Sequence, residues 1–207
     1  LISLVYTPMM LSYLGDEQYG LWATMLSVMN WFTIFDFGIA GGFRNILSVE
    51  VAKHNKENIR KVTSTAYVLI GIIVSALFCI LFIIAQMVNW RSIFNTSIDM
   101  KMGVIFVMIF TCCNFVFGLS NSVFYAKQRA EIVPFISVCV QVMNCFAILI
   151  LLRMLKHPEN RIPYVAFAYM FSTILTNIIF ILFLWVKNPC FIPYISYFDK
   201  QYIKSIF

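Results

Sequence analysis

The stretch NWFTIFDFGIAGGFRN, Asn30 to Asn45, sets an acid, Asp36, inside a long apolar run and follows it with Gly38, Gly41, Gly42 and then Arg44. A buried carboxylate is costly to desolvate and glycine weakens a helix, so each departure needs a physical reason. That reason depends on the solvent around the segment. The 207 residues are 61% hydrophobic and only 12% charged, with a mean hydropathy of +0.86. A water-soluble domain carries about twice that charged fraction. The sequence therefore expects a bilayer as its main solvent. An aromatic content of 17%, led by 21 phenylalanines, suits a surface that faces lipid.

Working outward from this stretch, six apolar runs stand out: Leu1–Leu14, Tyr19–Gly42, Ala66–Val88, Met102–Tyr125, Val133–Leu152 and Tyr164–Val186. The last five hold about 20 or more residues each, enough to cross as helices, which satisfy their own backbone groups where lipid offers none. Interfacial aromatics flank them: Tyr19, Trp22, Trp90, Tyr125, Tyr164 and Trp185. Pro134 and Pro163 fall at span starts, where a missing N–H costs little. The first run is short for a span, and the closing KQYIKSIF resembles the start of a further helix. The chain is accordingly expected to be a fragment, cut inside its first span and just before a seventh. The expected fold is an all-α, six-helix transmembrane bundle over residues 1–186, with 187–207 a cytoplasmic linker.

Charge sets the expected orientation. Arg44, Lys53, Lys56, Arg60, Lys61, Lys127, Arg129, Lys187, Lys200 and Lys204 lie in alternate connections, ten bases in all. The intervening connections hold five, Arg91, Lys101, Arg153, Lys156 and Arg161. The richer side is assigned to the cytoplasm, with the N-terminus inside. The net charge of +6 is thus a topology signal, and no nucleic-acid-binding motif accompanies it. The connection SVEVAKHNKENIRKVTST suits a solvated loop, a helical hairpin or a surface helix leading into the third span.

The spans are not apolar all round. Stripes at helical spacing run through Ser64, Tyr67, Gly71, Ser75, Cys79 and Gln86 in the third, and Thr111, Asn114, Gly118, Asn121 and Tyr125 in the fourth. Ser137, Gln141 and Asn144 mark the fifth, Tyr169, Thr173, Thr176 and Asn177 the sixth, and Asn30, Thr33, Asp36, Ala40 and Arg44 the second. Such stripes serve either helix–helix hydrogen bonding or the lining of a shared watery cavity. Asp36 favours the cavity, because an acid within a span is by default a functional-site candidate. Asp36 and Arg44 read either as an ion or proton site and a phosphate contact, or as a packing residue and a snorkelling base. Gly38 and Gly42 form G-x-x-x-G, which permits close helix approach, and Gly41 and Gly42 could loosen the helix end.

Several classes drop out. Five of the six cysteines lie inside apolar runs and no C-x-x-C occurs, so neither a disulfide framework, a metal site nor a redox motif is indicated. H-E-x-x-H, G-x-S-x-G and Walker A motifs are absent, and both histidines, His54 and His157, lie in connections. An enzyme is not expected.

YLGDEQYGLW (Tyr13–Trp22), FDFGIAGGFRN (Phe35–Asn45) and VAKHNKENIRKVTSTAY after it resemble the start of Wzx-type polysaccharide flippases, the O-antigen and capsule translocases of the multidrug/oligosaccharidyl-lipid/polysaccharide (MOP) exporter superfamily. The resemblance implies the N-terminal lobe of a two-lobe, MATE-like transporter with a second lobe to follow. It implies flipping of polyprenyl-pyrophosphate-linked oligosaccharide across the bacterial inner membrane by alternating access, coupled to H⁺ or Na⁺, with no other cofactor. Asp36 and Arg44 match the D-x-G-x-x-x-x-x-R stretch and become the ion-coupling and pyrophosphate candidates. Asn30, Asn114, Asn121, Gln141, Asn144 and Asn177 become the sugar-contact candidates, and Gly38, Gly41, Gly42 and Gly118 the packing or hinge positions. Expected partners are membrane lipid, the lipid-linked substrate, a polysaccharide polymerase and glycosyltransferases. The alternatives are a drug/cation antiporter of the same superfamily and a non-transporting membrane scaffold.

Overall fold

Hydrocarbon offers a peptide group no hydrogen-bond partner, so an apolar chain of this composition is expected to fold into helices. The computed structural model describes residues 2–34, 38–154 and 160–206, with side chains at 4–28 and from 38 onward, and contains no strand among them. Helix α1 spans Ile2–Ile34, α2 Ile39–Ala52, α3 Lys56–Met87, α4 Trp90–Ile93, α5 Lys101–Ala126, α6 Ile132–Met154 and α7 Ile162–Lys187. Three 3₁₀ turns and a short α8, Ile203–Ile206, complete the chain. Among the described residues α3, α5, α6 and α7 are long and apolar enough to cross a membrane.

The N-terminal third is two helical arms, residues 2–14 and 16–34, that meet at a kink at Gly15, whose φ of 74° and ψ of 171° leave the helical region. Gly15 makes this break without the strain a Cβ would add. Tyr6 and Leu26 would stand about 30 Å apart on a straight helix, yet both reach one cavity. Within the second run α1 is described as far as Ile34, and α2 starts after Gly38, whose φ of 74° is left-handed. Gly42 then sits inside α2. Asp36 lies outside the described residues, as does the side chain of Asn30.

The connection from α2 to α3 is a helical hairpin. His54 takes a left-handed φ of 55°, and Asn55 caps α3 by accepting the Asn58 N–H at 3.1 Å. Glu50 lies beneath this turn, only 7% exposed, and accepts from Asn58 Nδ2 at 2.9 Å and Lys53 Nζ at 3.2 Å. The Asn58 hydrogen bond, more than the Lys53 charge, holds its carboxyl below the ordinary value of 4.5.

Helix α5 is the hub, packed against α1, α2, α3 and α7. Two apolar clusters form around it. One joins Met10, Tyr13, Trp22 and Met25 of α1 to Val104 and Val107 of α5 and to Ile162 and Val165 of α7. The other joins Ile39, Phe43 and Leu47 of α2 to Val62 and Ile70 of α3, Leu119 and Val123 of α5, and Ile206.

Contacts sort the connections by end. Thr96 donates to Glu17 at 3.2 Å, Asn160 to the Asp99 carbonyl at 2.6 Å, and the Arg161 N–H to Gln18 at 2.9 Å. The Arg161 guanidinium also donates to the Tyr13 carbonyl and stands 5.4 Å from that ring. At the other end Lys127 Nζ donates to Asn188 Oδ1 at 2.8 Å and Arg60 Nη1 to the Tyr197 hydroxyl at 3.3 Å. The base-rich connections therefore gather at this second end, as the charge pattern anticipates.

The segment after α7, expected as a linker, folds back onto α3. The Tyr194 N–H donates to Ser64 Oγ at 3.0 Å, and the Asp199 N–H to Thr65 Oγ1 at 3.0 Å. Arg60 lies 5.8 Å from the centre of the Tyr194 ring and 5.1 Å from that of Tyr197. Helix α8 then seats Ile206 against Gly42.

Candidate functional site

A cavity of about 520 Å³ opens between α1, α5, α6 and α7. Each helix contributes one face. From α5 come Phe110, Asn114, Phe117 and Asn121, at steps of four, three and four; from α6 come Ser137, Gln141 and Asn144; from α7 come Tyr169, Thr173 and Asn177. These spacings put each set on one side of its helix. Tyr6 and Leu26 close the α1 side.

Five of the six sugar-contact candidates thus meet: Asn114, Asn121, Gln141, Asn144 and Asn177. Asn144, Asn177 and Thr173 are buried in the wall, while Ser137 and Gln141 are exposed. Asn177 Nδ2 donates to the Thr173 carbonyl at 2.9 Å, and Thr173 Oγ1 to the Tyr169 carbonyl at 2.9 Å. The Oδ1 atoms of Asn121 and Asn144 are buried without a hydrogen-bond partner. A buried acceptor left this way costs about 1–3 kcal/mol.

The rest of the wall is aromatic. Tyr169 packs edge-on to Phe110 at 5.0 Å and to Trp22 at 5.6 Å, which fixes its ring beside the amides. No Asp, Glu, Lys, Arg or His lines the cavity among the described residues. Nor do the described residues bring three His, Cys, Asp or Glu together as a metal site.

Other candidates fall elsewhere. Arg44 is exposed on α2 with its guanidinium 5.7 Å from the Tyr125 ring centre, outside the cavity wall. The stripe on α3 does not join the cavity. Tyr67 bonds Ser120 at 2.7 Å, Ser64 holds the C-terminal segment, and Ser75, Cys79 and Gln86 are exposed. Nor do the glycines act alike. A Cβ at Gly42 would run into the Ile206 backbone, Gly38 supplies the left-handed turn, and Cβ atoms at Gly41 and Gly118 would meet no described atom within 4 Å. The aromatic walls Tyr6, Phe110 and Phe117 were not among the sequence candidates. The phenylalanines at three- and four-residue steps from Asn114 and Asn121 carry the readable signal.

A bundle of apolar helices around a cavity whose described walls carry hydrogen-bonding but no charged side chains defines a multi-pass membrane protein. Residues 1–207 match the family described as polysaccharide biosynthesis protein, and the chain belongs to that family. No curated protein matches the sequence significantly.

The fold resembles that of MOP superfamily transporters. Against an outward-facing multidrug resistance MATE family transporter the TM-score is 0.76 at 14% identity, covering 99% of this chain and 47% of that one. Against MATE in the straight conformation it is 0.74 at 14% identity, with the same coverage. A MOP superfamily transporter from Pyrococcus furiosus, described as having a binding pocket of reverse polarity that suggests a different function, scores 0.75 at 15% identity, over 99% and 46% of the two chains. This chain spans about half the length of these structures.

Proposed function

We propose that the chain forms one lobe of a flippase that carries polyprenyl-pyrophosphate-linked oligosaccharide across the bacterial cytoplasmic membrane by alternating access. The observation that carries this reading is the cavity, with five carboxamides, an aromatic wall and no charged group among the described residues. Sugars present many hydroxyls and apolar ring faces, and such a surface offers partners to both. The polyprenyl tail stays in lipid, while the glycan, too polar for hydrocarbon, travels in the cavity. Two gates opening in turn complete the cycle.

In this reading the two arms of α1 cross separately, so the lobe has six crossings, and the base-rich end faces the cytoplasm with the N-terminus. Asp36 takes the coupling H⁺ or Na⁺ and Arg44 meets the pyrophosphate at the base-rich end. A polymerase and glycosyltransferases work on the same glycan. The cation antiporter is the second reading, favoured less because the described wall offers amides and aromatics rather than acids, and the scaffold, in which the amides serve packing alone, is the third.

The test is the sidedness of lipid-linked oligosaccharide in the source bacterium after depletion of the full-length protein. Accumulation in the cytoplasmic leaflet with loss of surface glycan is expected. Rescue by Asn121→Leu/Asn144→Leu should fall about 30-fold, two hydrogen bonds at ~1 kcal/mol each, with insertion intact. Asp36→Asn should impair transport with insertion intact, and Arg44→Ala should weaken substrate affinity in a binding assay. Unchanged sidedness, or full rescue by the double variant, would overturn the reading.

A further inference from the structure

At the base-rich end a second pocket of about 260 Å³ lies where α5 ends, α6 begins and α7 ends, outside the transport cavity. Lys127, Arg129 and Lys187 line it together with Asn188. Each stands at or just beyond a helix end, the depth at which a lipid carries its headgroup. Phe183, one turn inside Lys187 on α7 and with its ring centre 5.6 Å from the Lys187 Nζ, continues the wall toward the bundle and is 55% exposed. The pocket is therefore cationic at its outer level and apolar below, the order of groups in a phospholipid.

Nothing in the described chain neutralises it. Among the described residues none of the three bases has a carboxylate within 4 Å; the ion pairs there are Lys53–Glu50 and Lys61–Glu57. Glu131, the acid in the connection before α6, is exposed and does not line the pocket. The C-terminal ends of α5 and α7 add partial negative charge, but less than one elementary charge each against three full cations. Lys127 is fixed by Asn188 Oδ1 at 2.8 Å and lies 5.4 Å from the Phe191 ring centre. Burial, and Arg129 beside it, press its ammonium below the ordinary lysine range, so an added anion would relieve it.

We propose that this pocket binds the phosphate of an anionic glycerophospholipid, with Lys127, Arg129 and Lys187 as its ligands and an acyl chain along Phe183. The site is independent of what the cavity between α1, α5, α6 and α7 carries. It ties lipid composition to the junction of α5, α6 and α7, three of the helices that build that cavity.

The experiment uses the full-length protein in detergent, titrated with phosphatidylglycerol, phosphatidylcholine or inorganic phosphate, and reads binding by native mass spectrometry and by melting temperature. Each cation near an anionic lipid is worth about a factor of five, so Arg129→Gln/Lys187→Gln should weaken phosphatidylglycerol binding about 25-fold. Both side chains are exposed and their loss leaves Lys127–Asn188 in place. Lys200→Gln/Lys204→Gln removes equal charge at the same end and should leave binding within about twofold, being outside the pocket. Equal loss in the two double variants would show diffuse surface charge and overturn the site. Equal binding of the two lipids would do the same, and inorganic phosphate matching phosphatidylglycerol would overturn the lipid assignment.

Discussion

Replacing Gly42 by alanine probes the contact that fastens α8 to α2. A Cβ there would lie 2.7 Å from the Ile206 carbonyl carbon and closer still to its oxygen. Ordinary contact starts near 3.4 Å, and the neighbour is backbone, so no side chain can swing aside. The last turn must back off by roughly 1 Å or more, and overpacking of this kind costs about 1–3 kcal/mol. Alanine also raises helix propensity by about 1 kcal/mol, which masks part of the loss. Gly41→Ala supplies the correction, since it makes the same propensity change where no described atom lies within 4 Å. The difference between the two variants should therefore be about 1–3 kcal/mol, or about 2–4 °C of melting temperature per kcal/mol for a chain of this size. Thermal unfolding in detergent reads the difference, and proteolysis of residues 188–206 should quicken only in Gly42→Ala. Equal melting and equal proteolysis of the two variants would refute the close crossing.

Two further outcomes are expected. Arg60→Ala removes a guanidinium packed beside Tyr194 and Tyr197 and its bond to the Tyr197 hydroxyl, at about 1–2 kcal/mol in all, and should expose the C-terminal segment to protease. Unaltered protection would mean that Ser64 and Thr65 suffice to hold it. The carboxyl of Glu50 is held below its ordinary 4.5, so its ionised form favours the folded state. That contribution is full above 4.5 and is lost as pH falls through the folded value. On acidification below pH 4.5, melting of the wild-type protein should drop more steeply than that of Glu50→Gln, and parallel slopes would remove Glu50 from the account.

Much of the site could be read from the chain because helical spacing is a local property. Asn114 and Asn121, Gln141 and Asn144, and Asn177 with Thr173 each declare one face of one helix, and the structure turns these faces toward one cavity. The stripe on α3 carried the same kind of signal and went elsewhere, partly to the C-terminal segment, partly to Ser120 and partly to the surface. Spacing shows that residues share a face, but not which neighbour that face meets. The aromatic half of the wall was passed over for a related reason, since a phenylalanine in an apolar helix has no local mark that separates cavity from core.

By itself, then, the sequence determined the helical, membrane-embedded character of the protein, the positions of most long helices and the division of bases between connections. Composition and periodicity act through solvent and through the pitch of the helix, and neither needs a partner. Tertiary structure decided the rest. It gave Gly38 a left-handed turn and Gly42 a close crossing, folded residues 188–206 onto α3, and turned the amides of α5, α6 and α7 toward one cavity. It also drew Lys127, Arg129 and Lys187, which lie up to 60 positions apart in the chain, around one pocket. Such outcomes depend on how far each helix is rotated and where it crosses its neighbour, and those are set by packing of the whole bundle.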